Sequence, residues 1–193
     1  DFRNLVVQTP EKFTIRHVGI VNERCDPRPL MTVVEKLINS NSDFKSKLHI
    51  DFVGEVHSQF KDFVLSSREL VSVTTFTPSV PHEQLIPIYG RSSLLVLVLT
   101  GYKDAEGYMP GKLFEYLATG LPVLGVGPAG GDAAALLAST GAGEMVEGSD
   151  HERIGKKIME SFSAWSNKTV SVQNRDVSKY SRKNITRELI ELF

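Results

Sequence analysis

Pro110-Gly-Lys112-Leu-Phe-Glu115-Tyr-Leu-Ala-Thr-Gly120-Leu-Pro-Val-Leu124 reads as a helix that starts near Pro110 and is closed by Gly120. A strand over residues 122–126 follows at once. Proline suits the first helical position and glycine the residue just past the end. Leu113, Phe114, Leu117 and Ala118 make one apolar face, and Lys112 and Glu115, three apart, share the opposite one. A lysine in the first turn opposes the helix dipole at a cost of roughly 0.3–1 kcal/mol. That oddity disappears when an anion sits there, because a helix N-terminus with a lysine is a phosphate site. The stretch therefore offers a phosphate ligand and, one turn deeper, a carboxylate able to accept hydrogen bonds from sugar hydroxyls.

Working outward, the segment before it, Leu94-Leu-Val-Leu-Val-Leu-Thr100, is apolar on both faces, as a central parallel strand covered by helices would be. Further strands are expected over 13–19, 48–54, 71–76 and 144–147. Helical spacing occupies 29–39, 58–67, 83–91, 110–119, 133–140 and 150–165, and returns over 180–193, with Ile185, Leu189 and Leu192 on one side. A polar linker is expected over 167–176. Regular alternation with right-handed crossovers predicts an α/β fold. Its form is a doubly wound parallel sheet of about six strands, Rossmann-like, in three α/β/α layers. Ligands in such sheets bind outside the carboxyl ends of the strands, which is where Lys112 and Glu115 fall.

A chain of 193 residues fits one domain, so residues 1–193 are read as a single unit. The formal net charge of −1 gives no reason to expect nucleic acid or an acidic membrane surface. Cys25 is the lone cysteine, which excludes a disulfide framework and a cysteine metal site. Histidines 17, 49, 57, 82 and 151 never pair at ligand spacing, so no metal is expected. No Gly-x-Ser-x-Gly elbow supports a hydrolytic triad. No apolar run approaches the roughly 18 residues of a membrane span. Asn167-Lys-Thr and Asn184-Ile-Thr match the glycosylation acceptor pattern, which is short enough to recur by chance. A reducing, cytoplasmic setting is the default. The first residue is Asp1, from which removal of an N-terminal segment is expected.

Each motif has a plainer reading beside the chemical one. Lys112 and Glu115 also fit a solvated helix face. Gly125-Val-Gly127-Pro-Ala-Gly130 matches the dinucleotide fingerprint between a strand and a helix, with Glu147 about where a ribose-binding acid would stand. Against it, Pro128 removes a backbone donor, and the motif lies in the fifth strand–helix unit rather than the first. The reading preferred is a glycine-rich turn before a helix capped by Asp132. Arg24 and Arg28, with Pro27 and Pro29 stiffening their loop, could clamp a diphosphate or be exposed arginines. His82, after Pro81, suits a helix cap or surface position better than a base.

Taken in order, several runs carry a resemblance: Phe13-x-Ile-x-His17-x-Gly19…Arg28-Pro, Phe52-x-Gly54, Val80-Pro-His82-x-x-Leu85, Pro110-x-Lys112-x-Phe-Glu115-Tyr-Leu-Ala-x-Gly120-x-Pro-Val and Gly130-Gly-Asp132…Thr140-Gly-x-Gly143. The chain resembles the C-terminal, donor-binding domain of GT-B-fold retaining glycosyltransferases (glycosyl transferases group 1). The likeness runs from about Phe13 to the final helix. Its most specific part is Pro-x-Lys…Glu-Tyr-Leu-Ala-x-Gly-x-Pro.

The resemblance implies roles by position. Glu115 would hold the nucleotide ribose. Lys112 and Arg28 would be the catalytic cations on the diphosphate, with Arg24 beside them. Gly19, Gly54 and Gly111 would let backbone approach the nucleotide, and the segment from Val80 to His82 would meet the base. A second family glutamate, eight residues before the first, is replaced here by Gly107, with Glu106 one residue off. The resemblance further implies a nucleotide diphosphate sugar as donor, no cofactor and no metal. The acceptor would be a polysaccharide or glycolipid, reached through an N-terminal domain that this chain lacks. The last helix would cross back toward that domain. It leaves room for peripheral association of the full-length enzyme with the cytoplasmic face of a membrane, and implies that the isolated domain transfers no sugar. A NAD-dependent oxidoreductase domain built on Gly125–Gly130, a non-catalytic Rossmann interaction module and a sugar-nucleotide epimerase remain the alternatives.

Overall fold

The computed structural model describes residues 5–99, 105–170, 172, 180, 186 and 190. Six parallel strands form one sheet in the order β3-β2-β1-β4-β5-β6, the arrangement of a doubly wound Rossmann-like fold. They are β1 Phe13–Val18, β2 Leu48–Val53, β3 Thr74–Thr77, β4 Leu94–Val98, β5 Val123–Val126 and β6 Gly143–Val146. Among the described residues, the helices are α1 Arg28–Ser40, α2 Ser42–Lys47, α3 Ser58–Leu65, α4 Arg68–Val73, α5 His82–Gly90, α6 Gly111–Thr119, α7 Asp132–Ser139 and α8 His151–Ser166.

Two apolar clusters sandwich the sheet, because successive strand side chains point to opposite faces. Phe13, Ile15, Ile50, Val96 and Leu124 pack under α1, α3, α4 and α8. Val18, Val53, Leu95, Leu97 and Val123 pack under α5, α6 and α7. Both faces of β4 are buried along its whole length, as its unbroken apolar run predicts.

The expected strand over 71–76 is corrected. Residues 68–73 are helical, and only Thr74–Thr77 joins the sheet. Ser67 caps that helix by accepting from the Leu70 N–H, and Leu70 and Val73, three apart, bury together. Local capping thus overrides the β-propensity of the valines. The short helix Ser42–Lys47 is likewise missing from the sequence reading; Asn41 starts it by accepting from the Phe44 N–H. Helix α7 starts from Gly131, with Asp132 as its first residue rather than its cap. Most of the expected crossover helix over 180–193, including Ile185, Leu189 and Leu192, lies outside the described residues. So do Asn184 and half of the linker over 167–176.

Candidate functional site

The strand order reverses between β1 and β4, and the two strands separate before their ends. Their register holds at Ile15↔Leu94 and Arg16↔Leu95. Beyond it, side chains satisfy the backbone. The Val18 N–H donates to the Tyr116 hydroxyl at 2.9 Å, and His17 Nδ1 donates to the Val96 carbonyl at 3.0 Å. The crevice so opened is the position at which open α/β sheets bind ligands.

Gly19 and Gly54, just past β1 and β2, line this crevice. Both adopt a left-handed backbone, with φ +119° and +133°. A Cβ on Gly54 would stand 2.5 Å from the Gly19 carbonyl oxygen, and one on Gly19 would stand 2.7 Å from Lys112 Nζ. The two turns and the lysine therefore touch, although 93 positions separate Gly19 from Lys112.

Helix α6 delivers Lys112. Pro110 is the N-cap rather than the first helical residue, and Gly120 closes the helix in a left-handed conformation. The face carrying Lys112 and Glu115 is not the solvated face that the spacing suggests. Leu113, Tyr116, Leu117 and Thr119 are buried, and Lys112 and Glu115 are half-buried, as are Phe114 and Ala118 on the expected apolar face. Tyr116, one turn past Lys112, anchors on β1 and draws this polar stripe over the strand ends.

Lys112 Nζ lies 3.4 Å from His17 Nε2, and among the described residues no carboxylate pairs with it. Burial lowers the Lys112 pKa below the ordinary lysine range, opposed by the charges of Cys25 and Glu115. Burial, and then the Lys112 charge, push His17 down to about 3, so its imidazole is neutral; hydrogen bonding to the Val96 and Ile20 carbonyls offsets only part of this. A neutral ring whose Nδ1 donates to a carbonyl presents an Nε2 lone pair to the ammonium. On the next turn, the Tyr89 hydroxyl donates to Glu115 Oε2 at 2.6 Å. A helix N-terminus and a half-buried lysine with no carboxylate partner, set at the end of β1, could together receive an anion.

The remaining expected residues surround this centre. Arg28 is the first residue of α1 and half exposed, and it pairs with Asp26 (Nη2 to Oδ2 2.5 Å), which raises its pKa by that hydrogen bond and charge. Arg24 is exposed in the β1–α1 loop, where its N–H donates to Asn22 Oδ1. Gly111 is exposed at the start of α6, with open space around it. Val80 is half-buried against the α6-side cluster, and His82 is exposed as the first residue of α5, whose N-cap is Pro81. Between the Gly54 turn and that segment lies a groove of about 490 Å³, lined by Gly54, Val56, Lys61, Phe76, Thr77 and Ser79. Glu106 and Gly107 end a 3₁₀ turn, exposed, with the Glu106 backbone packed on Gly131.

The sequence reading missed His17 and Tyr89 as site residues. The pattern Phe13-x-Ile-x-His17-x-Gly19 holds the signal for one, a histidine two positions before a strand-end glycine. Tyr89 has no signal in its own neighbourhood, since its partner is 26 residues away.

The Gly125–Gly130 loop is built differently, and the dinucleotide reading is corrected. Gly125 lies inside β5 against Met145, and Gly127 lies against Leu99, so both glycines serve packing. The Ala129 N–H, which a pyrophosphate would need, donates to Glu147 Oε1 at 2.7 Å. Glu147 thus closes the loop instead of standing ready for a ribose. The adjoining hollow of about 320 Å³ is lined by Glu144, Glu147 and Asp150, with Arg153 paired to Glu144. Its charge is the wrong sign for phosphate.

Among the described residues no helix is long and apolar enough to cross a membrane, and no three His, Cys, Asp or Glu side chains cluster as metal ligands.

Neither a protein-family model nor a curated protein matches the sequence. Solved structures do match in fold. WaaG, a glycosyltransferase involved in lipopolysaccharide biosynthesis, superposes with a TM-score of 0.62 at 17% identity, over 81% of this chain and 41% of that one. HepE of Anabaena, solved in complex with UDP, gives 0.61 at 13% identity, over 84% of this chain and 42% of that one. The C-terminal domain of the glycosyl transferase group 1 protein LpcC from Francisella tularensis gives 0.64 at 14% identity, over 90% of this chain and 93% of that one. The chain thus spans about two fifths of WaaG and HepE, but nearly all of an excised C-terminal domain. The fold of this chain is that of the C-terminal domain of GT-B glycosyltransferases.

Proposed function

We propose that this chain is the donor-binding domain of a retaining glycosyltransferase, taking a nucleotide diphosphate sugar. The observation that carries the reading is the convergence of Gly19, Gly54 and the half-buried, unneutralised Lys112 at the reversal of strand order, with Glu115 one turn on. A diphosphate set there receives the Lys112 ammonium and the N-terminal amides of α6, and Glu115 is within one helical turn for the ribose hydroxyls. Lys112 gains most when the bond to the sugar breaks, because negative charge then grows on the leaving diphosphate in a site with little water to screen it. Arg28 and Arg24 reach the same phosphates from the β1–α1 loop once Arg28 leaves Asp26. The groove between Gly54 and Ser79 extends toward Val80 and takes the base. No metal and no cofactor take part. The acceptor, a polysaccharide or glycolipid, binds a partner domain outside this chain, so the chain alone binds donor and transfers no sugar. UDP in HepE and lipopolysaccharide synthesis by WaaG are in keeping with such a donor and acceptor.

Calorimetric titration with UDP, GDP, ADP and NAD tests the reading. One or more of the nucleoside diphosphates should bind, and Glu115→Ala should weaken that binding by about 1–3 kcal/mol through loss of charged hydrogen bonds. Binding of NAD alone would sink the reading, and undiminished binding by Glu115→Ala would sink the ribose assignment.

A further inference from the structure

We propose that Tyr89 is the positioning residue for Glu115, clamping one carboxylate oxygen so that the other selects nucleotides carrying a ribose diol. The inference rests on the reading of Glu115 as the ribose ligand. Tyr89 is fully buried in the last turn of α5, with its ring edge-on to Tyr116 at 5.8 Å between centroids. The backbone on either side of it is pinned to the sheet. Arg16, from β1, donates to the Ile88 carbonyl at 2.5 Å and to the Arg91 carbonyl at 3.1 Å, while its Nε is held by Asp51 at 3.0 Å. The phenol is therefore a fixed donor. Its 2.6 Å bond to Glu115 Oε2 is in the range of charge-assisted hydrogen bonds. Burial first, and the Glu115 hydrogen bond second, raise the Tyr89 pKa, which keeps the proton on the hydroxyl.

A glutamate near a helix N-terminus has three rotatable bonds and would otherwise sample several rotamers. With Oε2 occupied by Tyr89, the carboxylate is restrained and Oε1 is left as the acceptor for sugar hydroxyls. Recognition of a diol then depends on two residues from different helices, and a deoxy sugar leaves Oε1 without its donors.

The test titrates this chain with UDP, GDP and ADP, then compares the best binder with its 2′,3′-dideoxy form. Wild type should favour the ribonucleotide. In Tyr89→Phe, which keeps the ring, ribonucleotide affinity should fall about tenfold while dideoxynucleotide affinity stays within about twofold. Adding Tyr89→Phe to Glu115→Gln should cost nothing further, since both act through one carboxylate. Glu115→Asp, too short to reach the phenol, should show the same loss of preference, and serves if Tyr89→Phe does not fold. Equal weakening of both nucleotides, retention of the ribose preference, or independent losses in the double variant would each overturn the role of Tyr89. Failure of wild type to bind any of the three diphosphates would instead overturn the donor-domain reading beneath it. Wild type that binds without ribose preference would overturn the Glu115 assignment.

Discussion

The crevice between β1 and β4 and the loop after β5 both look like phosphate sites in the sequence, and the structure builds them differently. In the first, glycines adopt positive φ and press against each other and against Lys112, so that backbone and ammonium meet at the strand ends. In the second, the glycines fill gaps against Met145 and Leu99, and the free amide is already taken by Glu147. Glycine spacing does not separate the two cases. What separates them is whether a charge is left without an opposite partner. Lys112 is half-buried with a neutral histidine beside it, whereas the β5–α7 loop is closed by its own carboxylate. Burial of an unneutralised ammonium costs stability that an internally satisfied loop does not, and a bound anion would recover it.

The largest contrast is steric. Gly54→Ala would force its Cβ to 2.5 Å from the Gly19 carbonyl while holding alanine at φ +133°. Overpacking and backbone strain together should cost about 2–5 kcal/mol, seen as a fall in the chemical-denaturation midpoint. Gly130, in the other loop, has open space around its Cβ position and no positive φ. Gly130→Ala should change stability by less than about 0.5 kcal/mol. Comparable costs at the two positions would mean that the loops are not different in kind.

The next contrast is electrostatic. Lys112→Met keeps the length of the stem but removes the charge. Diphosphate affinity should fall by about 1.5–3 kcal/mol, or roughly 10- to 100-fold by titration. Because the free-state pKa of Lys112 is lowered by burial, wild-type affinity should decline as the solution becomes alkaline, starting below the ordinary lysine range of about 10.4. In Lys112→Met that limb should be gone. Glu147→Gln, by contrast, should leave diphosphate affinity untouched, since its carboxylate serves only the Ala129 amide and the loop. A loss of affinity there would move the phosphate site to the fingerprint loop.

The sheet was legible because its order depends on alternation of apolar runs and helical spacing, which the chain displays clearly from Phe13 to Trp165. Lys112 and Glu115 were legible for a local reason, an unfavourable lysine at a helix start beside a carboxylate. Their surroundings were not. His17 approaches Lys112 across 95 positions, and Tyr89 approaches Glu115 across 26, so no window of sequence contains either pair. The orientation of α6 was also hidden. The sequence assigns Tyr116 to neither face, yet its hydroxyl replaces a strand partner for Val18 and turns the Lys112 stripe inward. At 68–73 the failure was one of competing signals, a Ser67 cap against β-branched residues.

The last contrast concerns acid. His17 is 2% exposed and its pKa is pushed down to about 3, whereas in the unfolded chain it returns to about 6.5. Between those values the unfolded state binds a proton that the native state refuses. Stability contributed by the neutral native imidazole is therefore fully present above about pH 6.5 and is lost as the pH falls toward 3, at roughly 1.4 kcal/mol per pH unit. His17→Gln can still donate to the Val96 carbonyl but cannot titrate. Its stability, measured by denaturant titration from about pH 7 to pH 4, should fall less steeply than wild type by that slope. The fingerprint loop contains no histidine, and Glu147→Gln should leave this slope in place. An unchanged acid slope in His17→Gln would mean that the native imidazole does accept a proton. Lys112 would then sit beside a second cation, and the neutral ring that distinguishes this crevice from the self-satisfied loop would be lost.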